Sequence, residues 1–443
     1  MRKPYLFLIV FIGFISAHGQ QRTIVKNASN ANTISPGANR LDQYLPLLKG
    51  KSVGIFANQT SMVGGKHLVD TLQDLGIKIR VIFGPEHGFR GNADAGEKVG
   101  DYIDEKTGIP VISLYGAKRK PTEKDLQEVD ILIFDIQDVG TRFYTFISSL
   151  EAYMESAIEF NKPLIVLDRP NPNGHYVDGP VLDTSYRSFV GMQPVPIVYG
   201  MTIGEYAKML LGEKWIREGK KEPAEASASL DPAKVSASAP EVLTPMEIND
   251  EKSAFKLTVI PCENYTHKSS YILPVRPSPN LATIQSIYLY PTTCLFEGTV
   301  LSEGRGTDRP FQLIGHPNLP KSLISFTPNP NEGAKNSKHY GKLCYGWDFG
   351  GTAAEVKQKV SNKIQLNWLL RAYQLYPVKD SFFLIPKTGD PSKSFFNKLA
   401  GNSELAKQIK AGETETEIRK SWEPAIMQFK TIRKRYLLYP DFE

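Results

Sequence analysis

Short, near-continuous apolar runs punctuate the first part of the chain at 51–57, 78–83, 111–115, 130–135, 163–168 and 255–260. Each has the length of a strand and ends in a polar cluster. Between them, residues 65–75, 121–129, 143–160 and 201–211 read as helices. The second carries a proline near its first turn, and the third repeats its apolar residues at helical spacing. Runs that are apolar throughout, alternating with helices, predict an α/β fold: a mostly parallel sheet with helices on both faces. From about residue 290 the texture changes to aromatic-rich loops, a strand near 343–347, a helix at 364–373 and a basic helix at 421–435 with Pro424 in its first turn. A smaller α+β domain is expected there, with residues 41–289 forming the larger domain and 290–443 completing a cleft. The basic helix, with Lys430, Arg433, Lys434 and Arg435, reads as a solvated face.

Parallel strands present their carboxyl ends along one edge, so polar groups distant in sequence should converge there. These groups are Asn58 and Thr60; Glu86, His87 and Arg90; Gln137, Asp138 and Arg142; and Asp168, Arg169 and Asn171, with Asp135 and Tyr144 of the 135–146 segment as further candidates for the sugar site. Glu86 stands out. The run 81–91 ends at Gly84-Pro85 and then delivers Glu86, His87 and Arg90 on a glycine-hinged loop. Gly140 and Thr141 are expected to start the long helix and direct its amides to the site. Arg142 would hold a substrate carboxylate as a fork, or pair with Asp138 across the helix start. Asp168 would bind hydroxyls or hold Arg142. A dense Gly, Glu and Arg stretch at 296–307 offers Glu297, Glu303 and Arg305 from the other side of the cleft, or forms an exposed glycine-rich turn.

Composition adds the compartment. Arg2 and Lys3, the apolar run 5–17 and the small residues near 17–19 read as a signal peptide over 1–19, too short to span a bilayer. Residues 20–40 read as a flexible leader and the Ala/Ser/Pro-rich segment 223–241 as a low-complexity insertion. An exported protein, periplasmic or secreted, with no membrane span after cleavage is expected. The net charge of +6 is mild, and no stripe of basic and aromatic residues argues for nucleic acid. Cys262, Cys294 and Cys344 are odd in number and far apart, which fits buried hydrophobes better than a disulfide framework.

No dinucleotide fingerprint follows the first strand, and neither a P-loop nor an H-E-x-x-H occurs. The remaining chemistry is carboxylate-rich. Glycoside hydrolysis needs a proton donor at the leaving oxygen, and a glutamate at a partly apolar strand end suits that role. The alternative for Glu86 is a carboxylate that caps its loop or pairs with Arg90. His87 would orient Glu86, bind a sugar hydroxyl or sit satisfied in the core. No metal and no organic cofactor is expected. A metal-dependent hydrolase using His87, Asp135 and Asp168, or a non-catalytic protein that captures wall fragments in the same cleft, are the competing classes.

Six ordered motifs then bring a family into view: GPEHGFRG (84–91), DIQDVGTRFYTF (135–146), DRPNPNG (168–174), GMTIGEYA (200–207), PSPN (277–280) and EGTVLSEGRGTDRPFQLIGHP (297–317). From about residue 40 onward the chain resembles the NamZ-type exo-β-N-acetylmuramidases. The resemblance implies a Rossmann-like N-terminal domain, a smaller C-terminal domain and a cleft between them. It also implies release of N-acetylmuramic acid from the non-reducing ends of peptidoglycan-derived glycans or muropeptides, with Glu86 carried over as the catalytic residue. Tyr199 departs from the family pattern, which has histidine before Gly-Met-Thr. The lactyl carboxylate of muramic acid accounts for arginines in a sugar site.

Overall fold

Strands that are apolar on both faces must be covered on both, and one large sheet meets that demand. The computed structural model describes residues 33–91, 100–216, 246–249, 255–386, 389 and 393–443. In chain order the strands are β1 (Ser52–Ala57), β2 (Met62–Val63), β3 (Lys66–His67), β4 (Lys78–Gly84), β5 (Tyr102–Ile103), β6 (Pro110–Ser113), β7 (Ile131–Asp135), β8 (Leu164–Leu167), β9 (Met246–Asn249), β10 (Lys256–Ile260), β11 (Leu313–His316), β12 (Ile324–Phe326) and β13 (Cys344–Asp348). The helices are α1 (Leu41–Leu48), α2 (Leu68–Asp74), α3 (Glu123–Leu126), α4 (Phe146–Glu159), α5 (Ile203–Gly212), α6 (Ile284–Thr293), α7 (Ala353–Val360), α8 (Leu366–Leu375), α9 (Phe395–Ala400), α10 (Glu404–Ala411) and α11 (Glu415–Lys434).

The large sheet has the order β5-β6-β4-β1-β7-β8-β10-β9. Its inner strands run parallel, and β5 and β9 pair antiparallel at the edges. Without those edges the chain order is that of a doubly wound Rossmann sheet. Side-chain alternation sorts the core into two layers. Phe56, Phe83 and Phe134 face Tyr153 of α4 on one side, with Phe56 and Phe134 stacked 4.9 Å apart. Val53, Ile55, Ile82, Ile133 and Ile165 meet Tyr44 and Leu48 of α1 and Leu68, Val69 and Leu72 of α2 on the other. Beyond residue 290, an antiparallel sheet in the order β11-β13-β12 sits among helices α7 to α11, as an α+β region. Residues 34–443 form one unit. Among the described residues no helix is long and apolar enough to cross a membrane.

Several expectations change. The long helix starts at Phe146, not at Gly140, because Gly140 takes φ +77° and the chain turns through 140–145 before the helix begins. The segment 65–75 divides into β3 and α2, and the helix expected at 121–129 shrinks to α3. The basic helix is the end of α11, which starts at Glu415 behind a Thr414 cap, so Pro424 lies inside it. Of its basic residues Lys434 and Arg435 are exposed, as a solvated face requires, and Arg433 is not. Arg433 is fully buried, donating to Gly200 O at 2.8 and 2.7 Å and pairing with Asp441. Lys430 and Lys434 pair with Glu443, and Arg435 with Glu213. The end of the expected flexible leader is docked: Ser35 N donates to Glu263 O at 3.0 Å and Gly37 N to Asp168 O at 2.8 Å. The signal peptide, the earlier leader and the 223–241 insertion lie outside the described residues.

Candidate active site

Pro85 cannot donate the next ladder hydrogen bond, so β4 stops at Gly84 and turns. Gly88 N donates to Pro85 O at 3.0 Å, which puts Glu86 and His87 at the corners of a four-residue turn. His87 takes φ +70°, a left-handed conformation that costs a residue with a Cβ about 1–2 kcal/mol. Strain of this kind concentrates where backbone geometry supports function. Strand β6 runs parallel beside β4, with Gly84 paired to Ser113, so Tyr115 arrives next to the turn. Its hydroxyl donates to Glu86 Oε1 at 2.9 Å. Thr145, at the N-cap of α4, reaches Glu86 Oε2 at 3.4 Å. Burial, and then the Glu86 charge, push the Tyr115 hydroxyl well above its ordinary pKa, so it stays a donor.

A pocket opens over Glu86 and His87. The loop before α4 supplies Phe143, Tyr144, Thr145 and Phe146. Ser278, Asn280 and Leu281 line it from the segment preceding α6, and Tyr290, Arg305 and Phe311 close the far side. Tyr290 meets Phe311, Phe143 and Tyr144 edge-on at 4.8, 5.4 and 5.9 Å. The segment with Ser278 is held by Gln59, which donates to Pro277 O at 3.0 Å, and by Asn280, which donates to Gly333 O at 2.7 Å. Tyr144 is buried with its hydroxyl beside Ser278; burial first, then Asp138, raise its pKa well above the ordinary value. An aromatic wall with a few convergent polar groups suits a ring that carries both apolar faces and hydroxyls.

Of the residues singled out from sequence, Glu86, His87, Tyr144 and Arg305 line this pocket. The others serve elsewhere. Asn58 Oδ1 accepts from Thr60 N at 2.9 Å, and the Thr60 hydroxyl accepts from Gln137 N at 3.0 Å. Gln137 donates to Asp138 O at 2.9 Å and Pro170 O at 2.7 Å. Asp135 and Arg169 form a buried two-pronged pair at 2.6 and 2.8 Å. The crevice beyond β1 and β7, where doubly wound sheets bind ligands, is thus filled by side chains bonded to one another. The pocket lies instead toward β4 and β6.

Asp168 does not meet Arg142. Its carboxylate anchors the start of α5, accepting from Thr202 Oγ1 at 2.7 Å, Gly204 N at 2.8 Å and Tyr439 Oη at 2.5 Å. Burial pushes its pKa up to about 6 in spite of those donors. Asn171 holds the next turn, donating to Met201 O at 2.7 Å and accepting from Asn173 N at 2.8 Å. Asp138 Oδ2 accepts from Gly140 N at 2.6 Å and from the Tyr199 hydroxyl, and burial pushes its pKa up to about 6. Arg142 is fully buried and points away from the pocket's carboxyl group: Nη1 donates to Pro180 O at 2.9 Å and Val195 O at 2.7 Å, and Nη2 to Leu399 O at 2.8 Å. Arg90 pairs with Asp104 at 3.0 and 2.7 Å, bracing the loop rather than Glu86. Glu297 and Glu303 flank Arg305 without lining the pocket.

Tyr115, Thr145, Ser278, Asn280, Tyr290 and Phe311 were not singled out from sequence. Tyr115 was within reach of the strand-end rule, since it closes the 111–115 run. The remainder carry no charge and stand in no spacing that marks them. The metal-hydrolase set His87, Asp135 and Asp168 is not assembled, because Asp135 is engaged by Arg169 and Asp168 by α5. Among the described residues no group of three or more His, Cys, Asp or Glu is arranged to hold a metal ion. The G-x-S-x-G spacing at 50–54 is not a nucleophile elbow: Ser52 begins β1, and its amide donates to Asp130 Oδ2 at 2.7 Å. The three cysteines are free and buried.

With this geometry in place, comparison with known proteins is informative. Residues 53–285 match the family described as Exo-beta-N-acetylmuramidase NamZ, N-terminal, and residues 288–439 match its C-terminal counterpart. The Peptidoglycan beta-N-acetylmuramidase NamZ of Bacillus subtilis is 40% identical, covering 99% of this chain and 100% of the relative. A crystal structure of a DUF1343 family protein from Bacteroides fragilis is 42% identical with a TM-score of 0.76, covering 92% of this chain and 99% of that one. A second DUF1343 structure from that organism is 26% identical with a TM-score of 0.68, covering 93% of this chain and 100% of that one.

Proposed function

The chain belongs to the NamZ exo-β-N-acetylmuramidase family and is a glycosidase, and from that premise we propose that it releases N-acetylmuramic acid from the non-reducing ends of peptidoglycan fragments with Glu86 as general acid. The observation that carries the assignment of Glu86 is its position in the pocket, with hydroxyl donors at both carboxyl oxygens. Those donors fix the carboxyl group relative to a bound sugar. One oxygen then delivers a proton to the departing glycosidic oxygen as the anomeric carbon gains oxocarbenium character. The apolar run and small-residue site at 1–19 support export, to the compartment that holds a wall substrate.

The test is Glu86→Gln assayed with a chromogenic β-N-acetylmuramide. The variant keeps its melting temperature and loses turnover by about 10³-fold or more, the scale of losing a general acid. Turnover retained within about tenfold removes Glu86 from the acid role.

A further inference from the structure

Muramic acid differs from glucosamine by a lactyl ether on O3 that ends in a carboxylate. The pocket holds one guanidinium, that of half-buried Arg305, and its setting is unlike that of the buried arginines. Arg305 Nη2 donates to Glu297 Oε1 at 2.7 Å, and Nε lies 3.4 Å from Glu303 Oε1. Its guanidinium sits 5.0 Å over the Phe311 ring. Glu303 is itself braced by Lys338 at 3.0 Å, whose two remaining hydrogens are shared among the carbonyls of Phe296, Glu297 and Leu301. The Arg305 plane is therefore fixed along two edges and one face. Nη1 is the edge that no protein acceptor takes among the described residues.

The two carboxylates and the two cations of this cluster balance in charge. Neither Glu297 nor Glu303 lines the pocket, whereas Arg305 does. An anion entering the pocket therefore meets the guanidinium before it meets either carboxylate. Burial works against the Arg305 charge, but Glu297 and then Glu303 more than offset it, so the group stays cationic at every working pH. Glu86 lines the same pocket, as do Tyr290 and Phe311, whose rings meet edge-on at 4.8 Å.

Resting on the muramidase reading above, we propose that Arg305 is the receptor for the lactyl carboxylate, through its free Nη1 edge, and so sets the preference for N-acetylmuramic acid over N-acetylglucosamine. The sequence offered Arg142 for this task, but every hydrogen bond of Arg142 runs to a backbone carbonyl. A guanidinium held by its other edges loses little further freedom on binding, which is what makes a fixed arginine selective.

The experiment compares inhibition by free N-acetylmuramic acid and by its methyl ester, using the full chain and a chromogenic β-N-acetylmuramide. Wild-type protein binds the acid roughly 10–100-fold tighter than the ester, the scale of one charge-assisted contact. In Arg305→Met and Arg305→Lys the two ligands converge, and kcat/KM for the muramide falls while that for the matching β-N-acetylglucosaminide changes by less than about threefold. Equal binding of acid and ester by the wild type overturns the proposal without recourse to a variant. So does a variant in which both substrates decline together, the mark of a structural brace. A wild type that fails to cleave the muramide at all overturns instead the reading on which the proposal rests.

Discussion

Replacing Arg142 with methionine separates a substrate fork from a structural brace. The side chain gives three hydrogen bonds to the carbonyls of Pro180, Val195 and Leu399. Bonds from a charged donor contribute about 1.5–3 kcal/mol each, or about 5–9 kcal/mol together. Against them stands the cost of holding the charge in the interior. Burial draws the Arg142 pKa from 12.5 to about 9, which corresponds to about 5 kcal/mol at 1.36 kcal/mol per pH unit. Methionine returns that cost, so the net loss falls within about 0–4 kcal/mol, centred near 2 kcal/mol. For a chain of this length the unfolding entropy is about 0.9 kcal/mol/K, so the melting temperature drops by only about 2 °C. Urea denaturation is therefore the sharper assay, paired with steady-state kinetics on the chromogenic muramide. The midpoint falls, and KM for the folded fraction stays within about threefold of wild type. An unchanged midpoint with KM raised about a hundredfold would refute the reasoning and return Arg142 to the substrate.

Three further outcomes follow from the buried groups. The Asp138 carboxyl has a folded pKa of about 6 against an ordinary value of 3.8, so it favours folding below 3.8, and that advantage is lost as pH rises through about 6. Asp138→Asn should therefore gain on wild type between pH 4 and pH 7.5, by up to about 3 kcal/mol in urea titrations, and a pH-independent gap would contradict this. Burial lowers the His267 pKa, but the Glu205 carboxylate more than offsets it and raises the value, while Glu205 itself is held low by His267. The stabilisation from His267 is complete below 6.5 and lost as pH climbs through the raised value, and that from Glu205 is present above 4.5 and lost below it. His267→Gln should cost about 3–5 kcal/mol between those limits and less in alkali; an equal cost at all pH values tells against the pair. Tyr115→Phe removes the donor to Glu86 Oε1 and should lower kcat/KM about tenfold at unchanged stability, and an unaltered rate would take that contact out of the reaction.

The centre of the sheet was legible because its strands are near-continuously apolar, a pattern that few alternatives satisfy; β1, β7 and β8 are buried at every position, while the edge strands β5 and β9 carry no such run. The convergence of strand ends was legible for the same reason, since parallel register follows from the helices between strands. What a converging side chain does was not legible. Asp135 and Arg169 look like site residues from sequence and form a closed pair in space. Charge reveals that a residue needs a partner, not whether that partner is substrate or protein. The start of α4 was misread because Gly140 permits a positive φ that delays the helix to Phe146. A Cβ at Gly140 would meet Asn171 Oδ1 at 2.2 Å, a clash with residues that only the fold brings near. Phe311 and Tyr290 escaped notice because an aromatic on a loop reads the same whether it lines a pocket or fills a core.

Tyr439 reaches back across 271 positions to Asp168, and its hydroxyl also accepts from Cys262 N at 2.8 Å. Leu438 N caps Glu205 at 2.7 Å, and His267 N donates to Pro440 O at 3.0 Å. This belt imposes an order in time. A ribosome that has made every strand of the large sheet has not yet made the residues that satisfy the carboxylates at its edge. Until residues 438 and 439 emerge, Asp168 and Glu205 remain partly unpaired, so the nascent sheet is held short of its final stability. Such a long-range closure slows folding.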